Sequence, residues 1–248
     1  MAAPLPKTSE LHTTLTAYID AGQILPEWEA AKIKREIRSI ENPVASLQLT
    51  ALCFGAMGQE DDAIESFNVA MERFYEPRVG INFCTYLKRI GRNTDFLQHA
   101  YLFAEQFEDP DVVQTAWETA KVMFDDAKVR TFSRKLRKYY PNEHGENIVT
   151  TSEAFIGRLQ DIEAELGVKA ADIHRLSEAC LRIATKYRKS INSSGLGVGE
   201  GLAMVCFEVD RCEPDVVSDM NYDLAMEVAE LDNLLDVPAT AWFRCAAR

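Results

Sequence analysis

The sequence predicts a mainly α-helical chain, an array of helical hairpins followed by a small α+β module, on three observations. Pro43, Pro77, Pro110 and Pro141 follow one another at intervals of 34, 33 and 31 residues, the length of one helical hairpin. Between them apolar residues recur every three or four positions, which is helix spacing. After Asn192 that spacing stops, and alternating glycines lead into a continuous apolar run.

Taken in order, the first hairpin lies in Ser9 to Glu41. Leu11, Leu15 and Tyr18 share one helix face, and Trp28, Ile33, Ile37 and Ile40 share the next. Asn42 and Asp109 precede prolines and suit the N-cap, while proline suits the first helical position because its missing N–H loses no bond there. In the following unit Leu47, Ala51 and Phe54 line one helix, Gly58 opens the turn, and Ala63, Phe67 and Ala70 line its partner. Advancing by 33 residues places Cys84, Leu87, Gly91, Phe96, Ala100 and Phe103 on matching positions. A further advance gives Val113, Ala116, Ala120, Phe124, Val129 and Leu136, which keeps only the hydrophobic spacing.

The run LQLTALCFGAMGQEDDAIESFNVAMERF (47–74) resembles a tetratricopeptide (TPR) repeat. The resemblance covers about residues 44–140, with one good and two degenerate repeats. It implies a concave groove lined by the first helix of each pair: Gln48 and Leu52, then Arg78, Ile81, Thr85 and Lys88, then Gln114, Glu118 and Lys121. The repeated Asn and Lys arrangement with which some members clamp a peptide C-terminal carboxylate is missing. What the resemblance leaves is a mixed polar groove for a peptide or helix.

Asn142 to Val149 is short and polar and reads as the linker between a repeat domain (1–141) and a second module (150–248). Thr150 and Glu153 have the spacing of a capping box, opening a helix with Phe155, Ile156, Leu159, Ile162 and Leu166 inward and Gly167 as its stop. The next helix, 170–191, carries Ile173, Leu176, Cys180, Ile183 and Tyr187 at spacings of 3, 4, 3 and 4. Such a seam either packs within the chain or joins two copies. Residues 195–201 read as a flexible glycine connector, Leu202 to Val209 as a strand, Pro214 to Leu235 as a helix with Leu235 inward, and Ala239 to Cys245 as a second strand. Two strands are too few for an independent sheet, so they must lean on the helices and pair with a further element or another copy.

A chain of 248 residues with 47% hydrophobic and 27% charged residues can bury its own core. Its net charge of −12 opposes generic nucleic-acid or anionic-membrane binding. The charge is uneven, because residues 202–248 alone hold 10 acidic against 3 basic residues. No apolar run is long enough to span a membrane, and Met1 to Glu10 lacks the apolar core of a signal peptide. Six scattered cysteines without a CxxC pair read as free thiols of a cytoplasmic protein.

Catalytic and cofactor signatures are absent. The loop SSGLGVGEG follows a helix and precedes a strand, the reverse of phosphate-binding motifs. His12, His99, His144 and His174 stand far apart with no metal-ligand spacing. Two charged features remain. Asp219, Asp223, Glu227 and Glu230 lie along one face of the C-terminal helix, as a solvated face, a docking surface for a basic partner or, less simply, paired carboxylates that work as acid and base or hold a metal. Arg130, Arg134, Arg137 and Lys138 crowd the helix that ends the array, as a polar capping face, a phosphate or nucleic-acid contact or a mate for the acidic helix.

These readings favour a non-enzymatic, protein-binding adaptor or regulator, with no metal and no cofactor. Two alternatives stay open: an acidic inhibitor or immunity-type protein that covers a basic toxin or nucleic-acid enzyme, and an enzyme using carboxylates or a cysteine in an interdomain cleft. A homodimer would form through 170–191 or the C-terminal strands.

Overall fold

The computed structural model describes residues 7–210 and 212–246, so most of the stretch read for a signal peptide lies outside the described residues. The chain is mainly α, with an α+β module at its C-terminus. It divides into two compact units, residues 1–89 and 90–248. The division falls inside the third expected hairpin, the one that starts at Pro77, instead of at 142–149.

The first unit comprises α1 (Lys7–Ala21), α2 (Glu27–Arg38), α3 (Pro43–Ala56), α4 (Glu60–Phe74) and α5 (Pro77–Arg89). Pro43 opens α3 with the Asn42 side chain accepting from the Ala45 N–H, so the start is set as the sequence predicts. Helix α3 is apolar on every side because α1, α2, α4 and α5 all pack on it. Close approach depends on Gly55, where a Cβ would fall 2.5 Å from the Tyr86 ring. Phe67 stacks on Phe83 at 5.1 Å between ring centres and tilts against Tyr86 at 5.4 Å. Two expectations fail here. Trp28 points outward at 71% exposure, because the first turn of α2 precedes the stretch that turns Ala30, Ile33 and Ile37 inward. Leu52 is buried on the crowded α3 and lines no groove.

The second unit contains α6 (Asn93–Gln106), α7 (Pro110–Val122), α8 (Asp126–Tyr139), α9 (Glu143–Leu166), α10 (Ala170–Lys186), β1 (Ile191–Gly199), β2 (Leu202–Val209), α11 (Pro214–Ala229) and β3 (Ala239–Cys245). Asp109 caps α7 by accepting from the Asp111 and Val112 N–H groups. The polar stretch 142–149 is no linker: it forms the first two turns of α9, which packs on α8. Gly145 permits this, since a Cβ there would fall 1.9 Å from the Tyr140 carbonyl oxygen. The expected capping box at Thr150 therefore sits within the helix. Buried Trp117 donates its indole N–H to Ser152 Oγ at 2.9 Å and ties α7 to α9.

The seam of α10 is covered inside the chain. Ile173, Leu176, Cys180 and Ile183 are buried, and the helix packs on α6, α9, α11, β2 and β3. This corrects the homodimer expectation through 170–191, because the apolar stripe has no area left for a second copy. Helix α11 ends at Ala229, so Leu235 follows a single 3₁₀ turn and stands 61% exposed.

The glycine segment is a strand and not a connector. It makes the sheet three-stranded, in order β1-β2-β3, with β1–β2 antiparallel and β2–β3 parallel across the α11 crossover. Glu200 and Gly201 both take positive φ (53° and 75°), the two-residue hairpin turn whose twist suits the strands it joins. On one sheet face Ala203, Val205, Phe207 and Val209 are buried with Phe243 in the core. Asn93, itself buried, donates to the Gly91 and Lys189 carbonyls and accepts from the Ile191 N–H, which anchors the start of β1 to the start of α6.

Candidate functional site

The residues predicted to line one groove are distributed over both units. In the first unit Gln48 and Arg78 share a pocket of 380 Å³ with His12 and Asn82, and Asn82 donates to Gln48 Oε1 at 3.0 Å. The exposed Thr85 hydroxyl donates back to the Ile81 carbonyl. Burial, then the nearby Arg89, lowers the His12 pKa, so its imidazole is neutral at pH 7. In the second unit Gln114 donates to Glu118 at 2.7 Å, and the Lys121 ammonium lies 3.5 Å from the centre of the Trp117 ring.

The basic helix is α8, and much of its charge is used within the fold. Arg137 donates to the Tyr140 and Asn142 carbonyls and to Glu146, bracing the turn into α9. Arg130 pairs with Asp126, and Lys128 pairs with Glu105 beside the Tyr101 ring. Arg134 and Lys138 stay exposed.

The acidic stripe on α11 meets a basic face, but that face belongs to α10. Arg182 Nε donates to Glu227 at 2.5 Å, and Lys186 Nζ and the Tyr187 hydroxyl both donate to Asp223 at 2.7 Å. These bonds hold the Asp223 carboxyl below the usual range. The Tyr187 phenol is pushed up to about 12, chiefly by the bond to Asp223. Two of the four carboxylates thus serve α10–α11 packing, while Asp219 and Glu230 remain exposed.

Thiol chemistry has little support. Burial pushes the thiols of Cys53, Cys84, Cys180, Cys206 and Cys212 up, Cys84 to about 12, so these five are protonated at neutral pH. Among the described residues no three His, Cys, Asp or Glu side chains come together as metal ligands would. No helix there is long and apolar enough to cross a membrane.

A different site emerges along β1. Ala203 gives its N–H to the Pro238 carbonyl on the β3 side. Its antiparallel partner Val198 therefore turns its own N–H and C=O away from β2, and so does Leu196 opposite Val205. Among the described residues nothing pairs with these groups. The other margin of the sheet is treated differently: Asn221 of α11 donates to the Phe243 carbonyl and accepts its N–H at 2.7 Å, covering β3 as a neighbouring strand would.

Next to the open edge is a pocket of 430 Å³. Val122, Phe124, Phe155 and Leu196 form its apolar lining, and Glu118, Lys121 and Arg158 supply its charge. Its other polar side chains are already engaged: Ser193 with Glu208, Ser194 with the Val122 carbonyl, and Asn192 with Asp210. Only Glu118 and Lys121 of this site were predicted. Arg158, Phe155 and β1 itself were missed, although Gly195, Gly197 and Gly199 alternating with Leu196 and Val198 carry a period of two.

Comparison with protein-family models, with curated proteins and with solved structures finds no match to this chain.

Proposed function

We propose that this chain is a non-enzymatic protein-binding module, an adaptor or regulator, and that it takes an extended segment of a protein partner alongside β1. The carrying observation is the open edge. Its nine residues, INSSGLGVG, include no charge and no proline, the usual devices that blunt an edge strand. Alternating glycine lets another backbone approach closely, and a side-chain pocket adjoins the unpaired ladder groups. Main-chain pairing with an added strand, with side chains entering a neighbouring pocket, is an established mode of peptide recognition. The TPR-like reading of residues 44–140 supports the same class of function, as helical hairpins serve as scaffolds for protein partners. Six unpaired cysteines support a reducing, cytoplasmic setting.

The test is selection of peptides on the full chain followed by hydrogen exchange. Selected peptides slow exchange at the Leu196 and Val198 amides. Val198→Pro deletes one outward N–H while sparing the β2 ladder, and weakens binding by about ten-fold or more relative to Val198→Ala, which controls for lost packing. Selected peptides that protect no β1 amide, or that bind both variants alike, overturn the proposal.

A further inference from the structure

Resting on that reading, we infer that the β1 edge selects an acidic segment, one whose carboxylate is seated between Lys121 and Arg158 while a neighbouring apolar side chain packs on Phe124 and Phe155. Ser193, Ser194 and Asn192 have partners in the fold. Glu118, the one carboxylate in the lining, accepts from Gln114 and attracts the Lys121 ammonium without closing to a direct ion pair. With Lys121 and Arg158 against one carboxylate, the pocket keeps a surplus of positive charge, and Arg158 is the cation without a partner among the described residues. Arg158 is exposed and has no hydrogen-bonded or ionic partner there. Lys121 is half-buried over the Trp117 ring, and its pKa is lowered by that burial. A cation held partly out of water gains most from a charge-assisted bond to a carboxylate, which replaces the lost solvation.

A second copy of this chain is a poorer occupant. Its own β1 carries no carboxylate to meet Lys121 and Arg158, and edge-to-edge pairing would bring two cationic pockets to one interface. The long-range field of a chain at −12 opposes an acidic peptide, so selectivity arises from the two local contacts and not from steering.

The experiment uses fluorescein-labelled decapeptides of alternating Thr and Val bearing one Glu, Gln or Lys at the fifth or sixth position, so that either face of the strand is sampled. Fluorescence polarisation with the full chain reads binding, and hydrogen exchange at Leu196 and Val198 reads where it occurs. The Glu peptide binds about ten-fold tighter than the Gln peptide, and the Lys peptide is weakest. Lys121→Met, which keeps most of the aliphatic stem, combined with Arg158→Gln brings the Glu and Gln peptides level. Equal binding of Glu and Gln peptides to the wild type, with β1 protected, overturns the inference and leaves the protein-binding proposal standing. A Glu preference that survives the double substitution overturns it too. No binding by any peptide and no protection overturns both. Protection of β1 in the free protein that rises with concentration assigns the edge to a second copy and overturns the acidic-segment assignment.

Discussion

Ser152→Ala probes whether α9 belongs to the hairpin before it. Trp117 and Ser152 are 5% and 3% exposed, and the indole N–H of the first has the hydroxyl of the second as its partner at 2.9 Å. Removing the hydroxyl strands a buried donor, which costs about 1–3 kcal/mol. Alanine returns roughly 0.5 kcal/mol of helix propensity, and loss of the serine back-bond to Ile148 costs little because that carbonyl keeps its helical partner. The net expectation is a loss of about 1–2 kcal/mol. For a chain of this size that lowers Tm by roughly 2–4 °C per kcal/mol. Urea unfolding followed by circular dichroism at 222 nm measures it, with the denaturant slope unchanged. Trp117→Phe with Ser152→Ala removes both partners, so the pair loses less than the sum of the single changes. A loss under about 0.5 kcal/mol for Ser152→Ala, or strict additivity, would refute the reasoning.

Three further perturbations follow from the geometry. Gly145→Ala places a methyl 1.9 Å from the Tyr140 carbonyl oxygen, so the α8–α9 turn must open at a cost of about 2 kcal/mol or more; an unchanged thermal melt would contradict this start of α9. Asn221→Ala uncovers the Phe243 N–H and C=O and lowers stability by about 1–2 kcal/mol, read by urea titration with Asn221→Asp, which keeps only the acceptor, as an intermediate case. For the α10–α11 cluster the pH dependence has two limbs. The Tyr187 phenol is raised, so its contribution is full below pH 10 and lost as pH climbs through about 12. The Asp223 carboxyl is lowered, so its contribution is present above its ordinary pKa of 3.8 and fades as pH falls through the depressed value. Tyr187→Phe flattens the alkaline limb of a Tm-against-pH profile, and an identical profile for both proteins would dismiss the contact.

The helices of residues 7–139 were legible because their information is local. Pro43, Pro77 and Pro110 open their helices where the spacing predicts, and Asn42 and Asp109 cap two of them. The third unit keeps only hydrophobic spacing, yet Val113, Ala116, Ala120, Phe124, Val129 and Leu136 are all buried. Glycine misled in two places for opposite reasons. Gly145 stands in a polar stretch that looks like a linker, but there the missing Cβ admits a carbonyl. In β1 the glycines mask a strand, because glycine is depleted from strands on propensity and gains its place here from pairing with β2.

The charged features divide along the same line. From the sequence alone came a run of carboxylates on one face of α11 and a run of bases on α8, each with correct spacing. Which charges meet was decided by packing: α10 lies against α11, so Arg182, Lys186 and Tyr187 take Glu227 and Asp223, across separations of 36 to 45 residues. The β1 site is of this kind throughout. Lys121, Arg158 and Leu196 come from α7, α9 and β1 and share no local pattern. Periodicity and capping are properties of a few neighbouring residues and can be read in order. An open edge, an unpaired cation and a pocket are defined by what the rest of the chain leaves uncovered, so only the folded arrangement determines them.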